Sequence, residues 1–288
     1  MLTKFPALIK FFPFVMIAMG LIFMLMHAGR VIPAAIVSIV TPVQHPTRVT
    51  FDTYDKLLRK YVSADGLVDY TGLKKDPRLG QAVKELARIA PDKLSYQGQV
   101  CYWINAHNLL ALKVICDRYP IKSTVSLDVD MSARKFDVGG EVLSIQKIFR
   151  LKIFPLLKRS SAVPEKIFLV CTGSVSYPPL TDHAIEPDGL DADARAAAYK
   201  YITNPRNVFF DNDRGIFYIA PLLKRYEPIL SQVGETAHGF AALYMPSDQA
   251  PDMTDIMITK SFFKNVDLRL NDKAGFKSEP QVLDDLMR

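Results

Sequence analysis

Cysteine is scarce in this chain. Three cysteines in 288 residues are too few for a disulfide framework, and none forms a Cys-x-x-Cys pair. Cys101 and Cys116 are predicted to share one helix, where a separation of roughly 22 Å at 1.5 Å per residue keeps them from bonding. Cys171 could pair with either of them, but we expect all three to be buried free thiols.

Metal-ligand motifs and basic tracts are also missing. The histidines form no His-x-His or His-x-x-x-His pair, and DNDRG at 211–215 lacks the glutamate that would complete a calcium loop. We therefore expect no metal and no other cofactor. The net charge is +6, but the lysines and arginines are scattered, with no long run of like charges. Because no nucleic-acid-binding module accompanies them, we expect no nucleic-acid partner.

The N-terminal region holds the longest apolar run. Lys4 and Lys10 precede an uncharged stretch at 11–29, long enough to cross about 30 Å of hydrocarbon. A cleaved signal peptide is the competing interpretation, but Met26-His27-Ala28 fits a small-x-small cleavage site poorly. We predict an uncleaved membrane anchor over residues 1–40.

This anchor prediction also gives an orientation. The two N-terminal lysines favour a cytoplasmic N-terminus, which places the body outside the cytoplasm. We predict a single-pass protein of the cell inner membrane, with the lipid bilayer as its partner and the main domain periplasmic or otherwise extracytoplasmic. Residues 41–50 contain two prolines and little apolar pattern, which indicates a linker.

Residues 51–288 are predicted to form one α+β domain. Continuous apolar sequence in KIFLVC, at 166–171, predicts a buried strand. Gly-Gly at 139–140 and DNDRG at 211–215, each between apolar runs, predict two hairpins. Hairpins alternating with helices favour a mainly helical domain packed on one small, largely antiparallel sheet. Helical spacing predicts helices within 51–62, 79–90, 96–120, 189–202, 221–230 and 234–245.

The most apolar of these helices carries a line of polar residues. Cys101, Asn105 and Asn108 fall at i, i+4 and i+7, on one face. A nearly all-apolar helix is buried on every side, and an unpaired buried amide costs about 1–3 kcal/mol. The two asparagines therefore either line a site or tie the helix to a loop, and residues 171–183 are the loop that we expect them to meet.

VCTGSVSYPPLTDH, at 170–183, is typical of an active-site loop. Cys171 could act as a nucleophile, as could Cys101 near a helix N-terminus, where thiol pKa values fall. His183, beside Asp182, or His107 could serve as the base. The alternative is that each cysteine only packs in the core.

Four segments in fixed order resemble the family called domain of unknown function 547, or DUF547. They are YDKLLRKYVSADGLVDYTGL, YWINAHNLLALKVICDRYP, FDVGGEVLSIQKIF and GSVSYPPL. The resemblance covers about residues 51–230, and its most specific parts are WINxxN and GSxSxPPL. Members occur as exported bacterial proteins and as domains of larger eukaryotic chains, so the resemblance implies no particular activity.

The chain departs from the loop that is usual in this family, His-Phe-Ala-Leu-Asn-Cys-Gly-Ser-x-Ser-Cys-Pro-Pro-Leu. Aligned through Gly-Ser-x-Ser, the two family cysteines fall on Thr172 and Tyr177, and the family histidine falls on Ile167. Cys171 stands one residue early, and His107 stands where an aromatic residue is common. The resemblance thus implies a retained architecture whose thiol chemistry has been lost or altered.

We therefore predict a binding or accessory module with a groove between the central helix and the loop. Its partner would be a small-molecule ligand or an envelope protein. The alternative is a thiol-dependent hydrolase or acyl-transfer enzyme using Cys171 or Cys101 with His183 or His107, and a third possibility is a structural envelope protein. We expect the Cys171 side chain to face the core. The candidate pocket residues are Asn105, Asn108, Thr172, Ser174, Ser176 and Tyr177.

Overall fold

The structure is a computed structural model that describes residues 50–159, 163–234, 236–245, 258–261 and 267–275. All of these residues belong to one contact-defined unit, Arg48–Arg288. The predicted membrane anchor, and the linker up to residue 49, lie outside the described residues and stay predictions. Within the described residues, no helix combines the length and the apolar character that a membrane crossing requires.

Three short helices open the described chain and cover one side of the core. They are α1 (Asp52–Tyr61), α2 (Tyr70–Lys75) and α3 (Arg78–Leu86). The buried side chains of α1 are Tyr54, Leu57, Leu58 and Tyr61, which is the face that helical spacing predicts. Helix α1 packs against α3, while α2 and α3 both contact the following helix.

The central helix α4 (Tyr96–Arg118) lies at the middle of the core. Ser95 caps its N-terminus by accepting a hydrogen bond from the backbone N–H of Gly98. Residues 100–112 are all buried, so this stretch of the helix has no solvent face. Consequently its polar side chains must find partners inside the protein.

A small sheet and a bent helical segment follow the central helix. After α5 (Asp128–Ala133), strands β1 (Phe136–Val138) and β2 (Glu141–Leu143) pair antiparallel. The predicted Gly-Gly turn joins these strands, with φ values of +60° and +77° at its two glycines. A helical segment begins after Ser144, whose side chain caps it by accepting from the Lys147 N–H. It comprises α6 (Ile145–Ile148), a π-helical turn (Phe149–Ile153) and α7 (Phe154–Arg159).

The predicted strand at 166–171 is wrong. Residues Pro164–Leu169 form a 3-10 helix, and the chain then continues as the loop. A short, continuous apolar run is compatible with any fully buried segment, so it does not separate a strand from a helix. Pro164 in the first turn suits a helix start, since its missing N–H is not needed there.

The second sheet is built around the predicted DNDRG hairpin. Helix α8 (Leu190–Ile202) leads into β3 (Val208–Asp211), which pairs antiparallel with β4 (Ile216–Ile219). The chain continues through α9 (Pro221–Gly234) and α10 (Ala237–Ala242). Strand β5 (Ile258–Ser261) then adds to β4 in parallel.

These elements confirm the α+β class, a mainly helical domain with small antiparallel sheets. The expected single sheet is instead two separate sheets among the described residues, β1–β2 and β3–β4–β5. Both antiparallel pairs are local hairpins, whereas the parallel pair joins segments that are distant in sequence. The central helix, rather than a sheet, is therefore the element on which the loop is positioned.

Candidate functional site

The start of the loop is bound to the central helix by one buried asparagine. The Asn108 side-chain NH₂ donates to the carbonyl oxygen of Leu169 at 2.8 Å. Its side-chain oxygen Oδ1 accepts from the backbone N–H of Cys171 at 3.0 Å. One amide thus satisfies two backbone groups that would otherwise be buried without partners.

Asn105 makes the same pair of bonds at the far end of the loop. Its NH₂ donates to the carbonyl oxygen of Ile185 at 2.8 Å, and its Oδ1 accepts from the Ile185 N–H at 3.0 Å. We call this pair, Asn105 and Asn108, the asparagine clamp. It ties the helix to the segment 169–185, and both amides are directed at loop backbone rather than at a cleft.

A strip of C-terminal chain, residues 267–272, closes the other side of the loop. The Ser174 hydroxyl donates to the carbonyl oxygen of Asp267 at 2.8 Å, and the Ser176 N–H donates to the same oxygen at 3.0 Å. Ser176 Oγ accepts in return from the Asp267 N–H. Ser174 and Leu270 form an antiparallel bridge. Both loop serines therefore bind the protein's own backbone.

Asn271 joins this strip to two further parts of the chain. Its Oδ1 accepts from the Tyr70 hydroxyl at 2.7 Å, and its NH₂ donates to the carbonyl oxygen of Gly66 at 2.9 Å. Its backbone N–H donates to the carbonyl oxygen of Gly173 at 2.9 Å. The strip is thereby fixed by contacts with residues far from it in sequence.

Gly173 is required by its backbone and its surroundings. Its φ is +82°, a conformation that side chains other than glycine rarely adopt. A Cβ atom at this position would also lie 2.4 Å from Cδ1 of Ile115 on the central helix. The glycine of the Gly-Ser-x-Ser motif therefore allows the loop to approach α4 closely.

A cleft of about 770 Å³ opens between the central helix, the loop and α9. Four of the predicted site residues line it, namely His107, Thr172, Ser176 and Tyr177. Asn105, Asn108, Ser174, Cys101, Cys171 and His183 do not. Apolar and aromatic side chains form much of the remaining wall, among them Ala111, Val129, Met131, Phe149, Tyr201 and Tyr226.

Tyr177 and Arg225 form a polar edge of the cleft. The Tyr177 hydroxyl accepts a long hydrogen bond from Nη1 of Arg225, at 3.4 Å. Arg225 is an exposed residue on α9, and no carboxylate of the described residues pairs with it. A guanidinium with unused N–H donors therefore stands beside a phenol at the cleft edge.

His107 lies on the central helix between the two clamp residues and is only 4% exposed. Its Nδ1 lies 3.2 Å from Oδ1 of Asn108. Burial lowers the pKa of His107 to about 4, although the hydrogen bond to Asn108 acts in the opposite direction. The imidazole is therefore neutral at pH 7.

The three cysteines are buried and belong to the packing of the core. Cys171 is 4% exposed and, as we expected, lies in the core. Burial raises its pKa to about 11, and a Gly173 N–H at 3.4 Å from its Sγ only partly offsets this. Burial likewise raises the pKa values of Cys101 and Cys116 to about 12. Position near a helix start thus does not activate Cys101.

His183 is engaged with two carboxylates rather than with a thiol. Its Nδ1 lies 2.8 Å from Oδ1 of Asp182, and its Nε2 lies 3.2 Å from Oδ2 of Asp193 on α8. Burial lowers the pKa of His183, but hydrogen bonds to the two carboxylates outweigh this effect and raise it. Both ring nitrogens are used, so His183 is not placed to activate Cys171.

Sequence reasoning missed two contributors to this site. The sequence predicts that Arg225 lies in a helix, but no local sequence pattern indicates that this helix packs beside the loop. The sequence also gave no indication that the strip 267–272 binds the loop. The strip does so through backbone groups, which every residue carries, so no residue type marks it. Within the described ranges, no group of three histidine, cysteine or acidic side chains is arranged to hold a metal ion.

Residues 91–202 match a family model described as Protein of unknown function, DUF547. This segment runs from just before the central helix to the end of α8 and includes the asparagine clamp and the loop. Over these residues, the match confirms the resemblance that the sequence motifs indicated. No curated protein and no solved structure matches the chain.

The asparagine clamp can be tested by Asn108→Ala. We expect this change to lower the free energy of unfolding by about 3 kcal/mol, because it leaves two buried backbone groups unpaired at about 1–3 kcal/mol each. Urea denaturation followed by circular dichroism measures the difference. Gln97→Ala, an exposed change on the same helix, should stay within about 0.5 kcal/mol of the unchanged protein. Equal effects of the two changes would contradict the clamp.

Thiol labelling tests the environment of the cysteines. With a pKa of about 11, Cys171 carries far less thiolate at pH 7 than free cysteine, whose pKa is about 8.5, so we expect slow reaction with dithionitrobenzoate. Unfolding in guanidinium should release all three thiols. His183→Ala should leave the native rate unchanged. Rapid labelling of Cys171 that depends on His183 would instead support a thiol enzyme.

Proposed function

We propose that this chain, which matches the DUF547 family over residues 91–202, is a binding module. Its cleft would take a small ligand that has an apolar body and an anionic group. One observation carries the proposal: of the positions where the chain departs from the pattern of the family it resembles, His107, Thr172 and Tyr177 line this cleft, while Ile167 and Cys171 are buried in the core. The residues that position the loop, by contrast, keep that pattern.

The size and the lining of the cleft support this proposal. A volume of about 770 Å³ lies within the range of roughly 300–1,000 Å³ that is typical of small-molecule sites. Such sites combine apolar and aromatic walls with a few polar groups that orient the ligand. Phe149, Tyr201 and Tyr226 provide aromatic wall here, while Arg225 and Tyr177 provide the polar edge.

Arg225 is the group that favours an anionic ligand. Its guanidinium can present two parallel N–H donors to a carboxylate, sulfonate or phosphate. The hydroxyl of Tyr177 already accepts from Arg225, so its own proton remains available to the same anion. An apolar body could then extend from this edge along Phe149 and Tyr226.

A thiol-dependent reaction gains no support from this arrangement. Cys101 and Cys171 do not line the cleft, and burial disfavours the thiolate form of each. Thr172 and Tyr177 occupy the loop positions where the family pattern has sulfur.

We also propose that the module is held at the outer face of the inner membrane. The uncharged run at 11–29 and the preceding Lys4 and Lys10 support an uncleaved anchor with a cytoplasmic N-terminus. The bilayer would be its partner through this segment. A small solute or an envelope component would be bound by the exported domain.

The anionic preference can be measured with p-toluenesulfonate and its uncharged analogue p-toluenesulfonamide. Calorimetric titration of the full chain in nanodiscs, with empty nanodiscs as the blank, should give saturable binding at one site for the sulfonate. Arg225→Ala should weaken sulfonate binding by about tenfold, because it removes a charge-assisted contact. Binding of the sulfonamide should change little.

Lys93→Ala is the matched control, since it removes one exposed positive charge outside the cleft. It should leave sulfonate affinity within about twofold of the unchanged chain, a difference of less than 1 kcal/mol. If both variants weaken binding equally, the probe senses net charge. In that case the proposed polar edge is wrong.

The membrane proposal is tested by expressing the full chain in a Gram-negative host. We expect it in the inner-membrane fraction at its full length, with the body digested when protease is added to spheroplasts. Deletion of residues 1–40 should leave the body in the cytoplasm and protected. A shortened, soluble periplasmic product would show a cleaved signal peptide, and a protease-resistant body would contradict the orientation.

A further inference from the structure

We infer that Nε2 of His107 is a fixed hydrogen-bond acceptor of the cleft, which selects ligands carrying a neutral donor group such as a hydroxyl or an N–H. This inference rests on the proposed binding function and adds a second recognition element to it. Arg225 would bind the anionic end of the ligand, while His107 would accept a hydrogen bond from a donor group on the body of the ligand.

The first step is the orientation of the Asn108 amide. Its NH₂ faces a carbonyl oxygen, that of Leu169, and its Oδ1 faces a backbone N–H, that of Cys171. Reversing the amide would set donor against donor and acceptor against acceptor. The backbone of the loop therefore determines which Asn108 atom lies beside His107.

The second step is the tautomer of His107. Because Oδ1 of Asn108 can only accept, the Nδ1 atom 3.2 Å away must carry the hydrogen. A neutral imidazole with a proton on Nδ1 has a lone pair on Nε2. The residue is 96% removed from solvent, which favours the neutral ring. The clamp thus leaves His107 with an acceptor nitrogen.

The third step is the location of that nitrogen. His107 lines the cleft, and its ring lies beside Phe149, with 6.3 Å between the ring centroids. Nδ1 is occupied by Asn108, and Nε2 has no hydrogen-bond partner among the residues that the structure describes. Ala111, one turn further along the same helix and also in the cleft wall, offers no side-chain donor. A ligand donor would satisfy this lone pair.

An acceptor of this kind discriminates between ligands, because burying its lone pair without a hydrogen bond costs free energy. A ligand with a hydroxyl or N–H would complete the hydrogen bond, whereas an analogue lacking the proton would displace solvent and leave Nε2 without a partner. The cleft should therefore distinguish two ligands of equal shape that differ only in a donor proton.

Phenol and anisole form a suitable probe pair, since both present an aromatic body and an ether or hydroxyl oxygen, but only phenol donates. The full chain in detergent micelles, labelled with ¹⁵N in its histidine rings, is titrated with each probe, and His107→Phe assigns the His107 signals. We expect the free protein to show a protonated Nδ1 and an unprotonated Nε2. Phenol should shift the Nε2 signal upfield and saturably, and anisole should not.

The variants give a second readout. His107→Phe should weaken phenol binding by about tenfold, to the level of anisole, while His183→Gln, which changes a histidine outside the cleft, should alter neither probe. A protonated Nε2 in the free protein would overturn the inference, and this result requires no variant to fold. Equal shifts of Nε2 with phenol and anisole would also overturn it.

The two proposals fail in different ways. If calorimetry shows saturable phenol binding but the Nε2 signal of His107 does not move, the inference about His107 is wrong and the binding cleft stands. If neither probe shifts any cleft signal saturably, and p-toluenesulfonate does not bind either, the proposed binding function is itself wrong.

Discussion

Two side-chain amides hold the functional part of this molecule together. The central helix is buried on every side over most of its length, so the loop that crosses it must be joined to it by the few polar groups that the helix carries. Asn108 binds the loop where it begins, and Asn105 binds the same segment at Ile185. An Asn-x-x-Asn spacing suits this task, because i and i+3 lie on the same side of a helix. With both ends held, Thr172 and Tyr177 are presented to the cleft while Cys171 remains in the core.

The residues that position the loop match the usual family pattern, whereas three residues that line the cleft depart from it. The asparagines, Gly173 and the loop serines make backbone contacts that depend on their exact size and hydrogen-bonding groups. Side chains at 107, 172 and 177 make no comparable contact with the loop backbone, and they face the cleft instead. Substitution at these three positions can therefore alter the chemistry of the cleft without loosening the loop. Where the loop of the resembled family has cysteines, Thr172 and Tyr177 bring hydroxyl groups to the cleft wall, and His107 brings an imidazole.

Local sequence patterns predicted most of the helices and both hairpins, and they offered a tie between helix and loop as one of two roles for the asparagines. These features follow from apolar spacing, turn residues and the cost of an unpaired buried amide, all of which are readable within a short window. The 3-10 helix at Pro164–Leu169 could not be predicted, because a uniformly apolar run is compatible with several buried conformations. Arg225 and the strip 267–272 were missed for another reason. Their place in the site depends on contacts between distant parts of the chain. The spacing of apolar residues in a short segment does not indicate such contacts.

The long-range hydrogen bonds of the C-terminal strip have a consequence for the order of assembly. Asn271 binds Tyr70 and Gly66, residues separated from it by 201 and 205 positions, and Asp267 binds both loop serines. During synthesis, these partners of the loop hydroxyls and backbone groups exist only after residues 267–272 have emerged. A chain synthesised from its N-terminus can therefore form the central helix and the asparagine clamp before the strip 267–272, which completes the cleft wall, has emerged.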